Sequence, residues 1–79
     1  MVHDEEVYAD IRELLYIPKD EPIFIIRAKD QVSVLVLMNY LAHAKKAGCS
    51  NEFLAEIAHI GNDFTDWRLK NPGKVKVPD

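Results

Sequence analysis

The sequence has few of the features that stabilise a protein covalently or hold it in a membrane. Cys49 is the only cysteine among 79 residues, so no internal disulfide can form, as is usual in a reducing cytoplasm. The N-terminal residues have neither the basic nor the apolar region of a signal peptide. The apolar run Val34–Met38 is too short to cross a bilayer. We therefore expect a cytoplasmic protein that does not bind membranes.

The motifs of common enzyme and metal sites are also missing. There is no glycine-rich phosphate loop, no cluster of Cys and His at metal-ligand spacing, and no serine close in sequence to a partner histidine. His59 and Asp63 share one helix face, but two ligands are too few for a metal and a surface pair is the ordinary interpretation. The sequence therefore predicts a protein that is not an enzyme and that uses no metal or cofactor.

Positive charge is scarce over the chain as a whole but not at its C-terminal end. The net charge of −3 argues against general nucleic-acid binding. Residues 1–21 hold seven acidic and two basic residues, whereas residues 22–79 hold six acidic and eight basic residues. Four of the basic residues follow one another without an intervening acid: Arg68, Lys70, Lys74 and Lys76. This asymmetry indicates either a solvated surface or an anionic ligand near the C-terminus.

The length of 79 residues corresponds to one small domain, residues 1–79. A chain this short buries a small core and is marginally stable alone, so we expect a homo-oligomer, a dimer or larger. The predicted fold class is α+β and mostly helical. It has three helices and one short strand, which pairs either with the C-terminal tail or with its counterpart across a dimer.

Helix 1 is predicted from Asp4 to about Tyr16, with Asp4 as its N-cap. Pro18 ends it. Its apolar residues recur at helical spacing and predict the buried face; they are Val7, Ile11, Leu14 and Leu15.

The predicted strand is Ile23 to about Arg27, a run rich in branched residues that follows a proline. Its two faces are both apolar, which indicates that it is covered on both sides. A lone strand cannot satisfy its own backbone groups, so it needs a partner. The chain offers Lys74–Val77 as that partner, and the alternative is the same strand of a second subunit.

Helices 2 and 3 are predicted to form an antiparallel hairpin. Helix 2 follows Asp30 as N-cap and runs to about Ala47, with Gly48 at the C′ position. Helix 3 follows the N-cap Ser50 and ends before residues 71–73. The facing seams are Val34, Leu37, Leu41 and Ala44 in helix 2, and Phe53, Ile57, Ile60, Phe64 and Trp67 in helix 3. A second apolar seam of helix 2 indicates contact between subunits; its residues are Val32, Leu35, Val36 and Tyr40.

The basic residues around the strand predict a site for a phosphate-bearing ligand. Arg27 and Lys29 lie where the strand enters the N-terminus of helix 2, whose free N–H groups favour anions. An arginine fork grips two phosphate oxygens, and an aromatic side chain such as Tyr8, Tyr40 or Trp67 would stack on a base. The candidate ligand-binding residues are Arg27, Lys29, Asp30, Lys74, Lys76, Asp79, Tyr8 and Trp67.

A structural role is the alternative for several of these residues. Asp30, as a helix cap, would fill the anion position itself. Arg27 would then pair with Asp30 or Asp79 instead of a ligand. Trp67 closes the seam of helix 3 and is in that case a core residue.

Two segments of the chain resemble a family of small bacteriophage proteins. The family pattern is a P-x-F-x-x-R-A-x-D segment, two helices, a tryptophan and a Lys-x-Pro-Asp ending. The matching residues here are Pro22, Phe24, Arg27, Ala28, Asp30, Trp67, Lys76, Pro78 and Asp79. The resemblance covers residues 22–79 and leaves helix 1 outside. Many members have Gln where this chain has Lys29.

The resemblance implies a role against host defence in the cytoplasm of an infected cell. Small phage proteins of this size disarm host defence by soaking up a nucleotide immune signal or by binding a host protein. We therefore expect sequestration of an anionic nucleotide, cyclic ADP-ribose-like or a cyclic dinucleotide. The alternative is a protein–protein inhibitor of a host factor, for which the acidic helix 1 is the candidate surface.

Overall fold

The computed structural model describes the backbone of residues 5–78 and the side chains of residues 6–78. Three α-helices follow one another in this part of the chain: α1 (Glu5–Leu14), α2 (Ser33–Lys46) and α3 (Asn51–Lys70), with a short 3-10 turn at Pro72–Lys74. The prediction of three helices is confirmed. The predicted N-cap Asp4 lies outside the described residues. None of the described helices is long and apolar enough to cross a membrane.

α2 and α3 pack against each other, as predicted. The predicted seam is the covered side of α2, because Ala44 is only 7% exposed and Val34, Leu37 and Leu41 are half-buried. At the closed end of the hairpin the Tyr40 and Phe53 rings meet edge to face, with centroids 6.4 Å apart.

The covered line of α3 differs from the predicted seam in its second half. Phe53, Ile57 and Phe64 are half-buried as expected. Further along, Gly61 and Arg68 are half-buried, whereas Ile60 and Trp67 are each 36% exposed. The covered side of α3 is therefore broader towards its C-terminal end than the single predicted seam.

The connection between α2 and α3 is capped on both sides. Gly48 has a φ of 86°, and its amide and that of Cys49 donate to the carbonyl oxygens of Lys45 and Ala44. This is the Schellman arrangement that satisfies the last carbonyls of a helix. The Ser50 hydroxyl oxygen accepts a 3.1 Å hydrogen bond from the Phe53 amide. The predicted roles of Gly48 and Ser50 are confirmed.

Two glycine-to-alanine substitutions should have opposite effects on stability. Gly48→Ala puts a side chain at a positive φ and should lower the free energy of unfolding by about 1 kcal/mol. Gly61→Ala lies within α3, where an added Cβ meets nothing within 4 Å, and should raise it by about 0.5–1 kcal/mol. Urea unfolding of the two variants checks this. Equal effects would contradict the assignment of Gly48 to a left-handed position.

The predicted strand is wrong, and with it the α+β class. Residues 22–27 adopt no regular secondary structure. Among the described residues the only β-bridge is an isolated parallel one between Asp30 and Lys76. The tail therefore pairs with the chain, as one alternative predicted, but three residues beyond Arg27. Without a partner along its length, the segment cannot satisfy a strand's backbone groups, and its apolar residues Ile23, Ile25 and Ile26 are half-buried without a sheet.

α2 begins later than predicted, at Ser33, with Val32 at the N-cap position and no side-chain cap. Asp30 is therefore not the N-cap. Its Oδ1 accepts a 3.0 Å hydrogen bond from the Val32 amide, and its carbonyl accepts one from the Ser33 amide. An aspartate that bonds the amide two residues on forms an Asx turn, which here delays the start of the helix.

Of the predicted buried face of α1, Ile11 is half-buried, but Val7, Leu14 and Leu15 are exposed. Tyr8 is 6% exposed, whereas Leu14 and Leu15 are 76% and 59% exposed. The helix ends at Leu14. Two residues later, Tyr16 takes a positive φ of 58°. The turn is closed by a hydrogen bond from the Ile17 amide to the Arg12 carbonyl. Among the described residues, the backbone of α1 does not pack closely on α2 or α3, so Leu14 and Leu15 have no neighbouring helix in that part of the protein.

Candidate functional site

The C-terminal tail is held against the start of α2 by two backbone hydrogen bonds. The Lys76 amide donates to the Lys29 carbonyl at 3.0 Å, and the Gln31 amide donates to the Lys76 carbonyl at 2.8 Å. This is the bridge in which Asp30 and Lys76 are paired. It brings the backbone of the tail next to Lys29, two residues after Arg27.

A cleft of about 420 Å³ opens at the same end of the hairpin. Three parts of the chain form it: the first turn of α2, the last turns of α3 and the segment after α3. Its lining residues are Val34, Thr65, Arg68, Leu69, Pro72 and Val75. The antiparallel packing of α2 on α3 brings the first turn of α2 next to the last turns of α3.

Arg68 is the charged residue among the described lining residues of the cleft. It is half-buried and lies in the last turn of α3, where a cation is favoured by the helix dipole. Thr65 also lines the cleft, and its hydroxyl donates to the Gly61 carbonyl at 3.1 Å. That bond leaves the lone pairs of the Thr65 oxygen as acceptors. The cleft is thus an apolar hollow with one cation and one acceptor.

The first turn of α2 adds backbone donors to this end. The amides of Val34 and Leu35 donate to no backbone acceptor among the described residues, as is usual at a helix start. Ser33 is fully buried there, at 0% exposed, and its Oγ has no hydrogen-bond partner within the described part of the protein. A buried hydroxyl without a partner costs about 1–3 kcal/mol, so this end of the molecule is not optimised for stability.

Among residues 6–78, the lysines and arginines at this end have no carboxylate partner. In the described residues the only ion pair runs from His59 Nε2 to Asp63 Oδ2 at 3.6 Å, with both side chains exposed. The basic residues near the cleft and the bridge are therefore unpaired in the described part of the chain; they are Arg27, Lys29, Arg68, Lys70, Lys74 and Lys76. Their charge is available to an anion.

The other predicted site residues occupy different settings. The Asp30 carboxylate is engaged by the Val32 amide. Tyr8 is buried and offers little area to a stacking base. Trp67 is 36% exposed and does not line the cleft among the described residues. Asp79 lies outside the described residues.

Arg68 and the apolar lining were missed as site residues by sequence reasoning. Arg68 belongs to the basic stretch near the C-terminus, and this stretch is the sequence signal that could have identified it as a site residue. Val34 belonged to a seam predicted to face helix 3, which is compatible with its place at the cleft. Leu69 and Val75 come from different segments whose spacing in sequence carries no pattern, so only the packing of α2 on α3 reveals that they share a hollow.

A metal site is not formed by the described residues. His59 and Asp63 are a surface pair on α3, and no group of three or more metal-ligating side chains is found in the described part of the chain. Comparison with known proteins adds no relative, since no protein-family model, curated protein or solved structure matches this chain. The candidate site is thus defined by its geometry alone: a cleft with one arginine, beside a cluster of unpaired lysines.

Proposed function

We propose that this protein binds and sequesters a nucleotide-derived signal without transforming it. The ligand class is a small anionic nucleotide, cyclic ADP-ribose-like or a cyclic dinucleotide. The setting is the one implied by the bacteriophage resemblance, in which such a molecule is an immune signal of the infected host. Binding one signal molecule per site lowers its free concentration and so keeps its receptor inactive.

The observation that carries the proposal is the composition of the cleft at the basic end of the hairpin. A half-buried arginine, Arg68, lines a hollow whose other lining residues are mostly apolar. Ligand sites commonly combine an apolar lining with a few well-placed polar groups. The guanidinium suits a phosphate, since its fork donates two hydrogen bonds to the phosphate oxygens. The apolar lining suits the ribose and the base.

The size of the cleft and the surrounding charge support the same ligand class. Its volume of about 420 Å³ falls within the range of roughly 300–1,000 Å³ that is usual for small-molecule sites. Lys29 and Lys76 are joined by a backbone hydrogen bond and have no carboxylate partner among the described residues. Such unpaired cations attract a multiply charged anion.

The described lining residues favour storage over catalysis. They include no carboxylate, histidine or cysteine. The one hydroxyl, that of Thr65, is bonded to a carbonyl and has no base beside it in the described lining. A nucleotide held there would have no activated nucleophile to attack it.

Isothermal titration of the full chain against a panel of cyclic nucleotides tests the proposal. At least one nucleotide should bind with saturable heat, and chromatography of the bound fraction should recover it intact. Arg68→Gln should weaken binding by about 10- to 100-fold, because a hydrogen bond to a charged group is worth roughly 1.5–3 kcal/mol. Lys76→Gln should weaken it by a smaller factor, through the lost charge.

Lys45→Gln is the matched control. It also removes one positive charge, but Lys45 lies in the last turn of α2, about 17 Å along the helix axis from Val34. The nucleotide affinity of the Lys45→Gln variant should equal that of the unchanged protein. No heat with any nucleotide, or an equal loss in Lys45→Gln and Arg68→Gln, would rule out a specific site at the cleft.

A further inference from the structure

The protein has two exposed apolar surfaces, one at the end of α1 and one along α2. The α1 patch is Leu14 and Leu15, which are 76% and 59% exposed, together with the half-buried Ile11 beside them. The α2 stripe is Val32, Leu35, Val36 and Tyr40, with exposures of 46%, 64%, 41% and 52%. The residues of the α2 stripe lie at positions i, i+3, i+4 and i+8, which form one face of a helix. Apolar surfaces of this extent mark interaction sites.

The exposed area of the chain is larger than a monomer of its mass should have. The accessible surface is 6521 Å² for 9.1 kDa, whereas a compact monomer of that mass exposes about 4,900 Å². The radius of gyration is 14.3 Å, against roughly 12 Å for a compact chain of this length. The excess is about 1,600 Å², roughly twice the 800 Å² that one partner contributes to a standard interface. An excess of this size is of the order that a second protein surface would cover.

We propose that a second copy of the chain covers these surfaces, with the α1 patch of each protomer packed on the α2 stripe of the other. The arrangement is a two-fold dimer with two equal contacts, as a closed isologous interface requires. It brings the most exposed residues of the two surfaces, Leu14 and Leu35, into contact with each other. This inference does not depend on the ligand proposed above.

Charge complementarity sets the direction of the two helices. The polar side of α1 is acidic, with Asp10 and Glu13, while the last turn of α2 is basic, with His43, Lys45 and Lys46. When Leu14 is placed at Leu35, antiparallel packing puts Asp10 towards the basic end of α2. Parallel packing would place it towards the N-terminus of α2, away from His43, Lys45 and Lys46. Opposite charges across an interface fix its register.

The same α1 is held away from the α2 stripe of its own chain. The Arg12 Nε donates to the Glu21 carbonyl at 2.9 Å, and the turn at Tyr16 is closed by the Ile17 amide. These bonds fix α1 against the loop that follows it. In that position the backbone of α1 does not pack closely on α2 or α3 among the described residues, and the residues of the α2 stripe stay exposed.

Sedimentation equilibrium of the full chain and of two charge variants tests the proposal. The unchanged protein should have twice the monomer mass of 9.1 kDa. Leu14→Glu and Leu35→Lys should each raise the dimer dissociation constant by at least about 100-fold, because each leaves a buried charge unpaired in both contacts. An equimolar mixture of the two variants should regain the dimer mass. In the mixed dimer one contact is unchanged and the other pairs the two introduced charges.

Phe24→Glu is the control, since Phe24 and Leu35 are both 64% exposed but Phe24 lies outside both surfaces. It should remain dimeric. Far-ultraviolet circular dichroism should show unchanged helix content in each variant. This result excludes unfolding as the cause of a lower mass. The proposal is overturned by a monomeric unchanged protein, by a mass other than twice 9.1 kDa, or by a mixture that stays monomeric. A monomer of small hydrodynamic radius would show that α1 closes on its own α2 instead.

Discussion

Replacement of Ala44 by aspartate should unfold the helical hairpin. Ala44 is 7% exposed and lies on the side of α2 that packs on α3, so a carboxylate there would be buried without a partner. An uncompensated buried charge costs about 3–5 kcal/mol. A domain of this length has a free energy of unfolding of roughly 4–12 kcal/mol, and the described part of this chain has only Tyr8 and Ala44 as buried hydrophobic residues. The substitution should therefore remove most of the stability.

The measurement is urea unfolding followed by circular dichroism. Ala55→Asp is the matched control, because Ala55 lies in α3 but is exposed, where aspartate costs roughly 0.5 kcal/mol of helix propensity. If Ala44→Asp unfolded at the same urea concentration as Ala55→Asp, the packing of α2 on α3 as described would be refuted.

Lys76→Pro should detach the C-terminal tail from the start of α2. Proline has no amide proton, so the bond to the Lys29 carbonyl is lost and the reciprocal bond from the Gln31 amide is strained. The two bonds together are worth about 1–3 kcal/mol. With the tail gone, Val75 no longer lines the cleft, and nucleotide binding at the proposed site should fall with it. Hydrogen exchange of the Gln31 amide should accelerate, since in the intact bridge it donates to the Lys76 carbonyl at 2.8 Å.

Val77→Pro separates the loss of the bridge from a general effect of proline. The Val77 amide donates to no backbone acceptor in the described part of the chain, and its side chain is 66% exposed. Exchange at Gln31 should stay slow in this variant. Fast exchange at Gln31 in the unchanged protein would mean that the bridge is not formed in solution.

The helical hairpin was predictable because its signals are local. Ser50 accepts from the amide three residues on, and Gly48 takes the left-handed conformation that ends a helix; both effects act within one turn of chain. The seam through Val34, Leu37 and Leu41 repeats at helical spacing, so it could be found before any partner was known.

The strand and the buried face of α1 were not predictable because each depends on a partner. Ile23–Ile26 has the composition of a strand, but a strand forms only where another segment satisfies its backbone. The tail meets the chain at Asp30 instead. Leu14 and Leu15 have the spacing of a buried face, yet within the described residues neither α2 nor α3 packs closely on them. In the dimer that we propose, the α2 stripe of the partner covers these residues.

The basic character of the candidate site was apparent from the sequence, whereas its hollow was not. Lys29 and Lys76 were both singled out, and the bridge does bring their segments together. The cleft, however, is made by Arg68 with apolar residues from three separate segments, and such a set has no spacing to detect.

The sequence by itself determined the three helices, the caps at Gly48 and Ser50 and the excess of positive charge towards the C-terminus, since each follows from residues close together in the chain. Only the tertiary structure decided that the tail pairs at Asp30, that Arg68 lines the cleft, and that the α1 patch and the α2 stripe are left uncovered. These features depend on which distant segments of the chain meet. The packing of α2 on α3 and the backbone hydrogen bonds at the open end of the hairpin determine which segments meet.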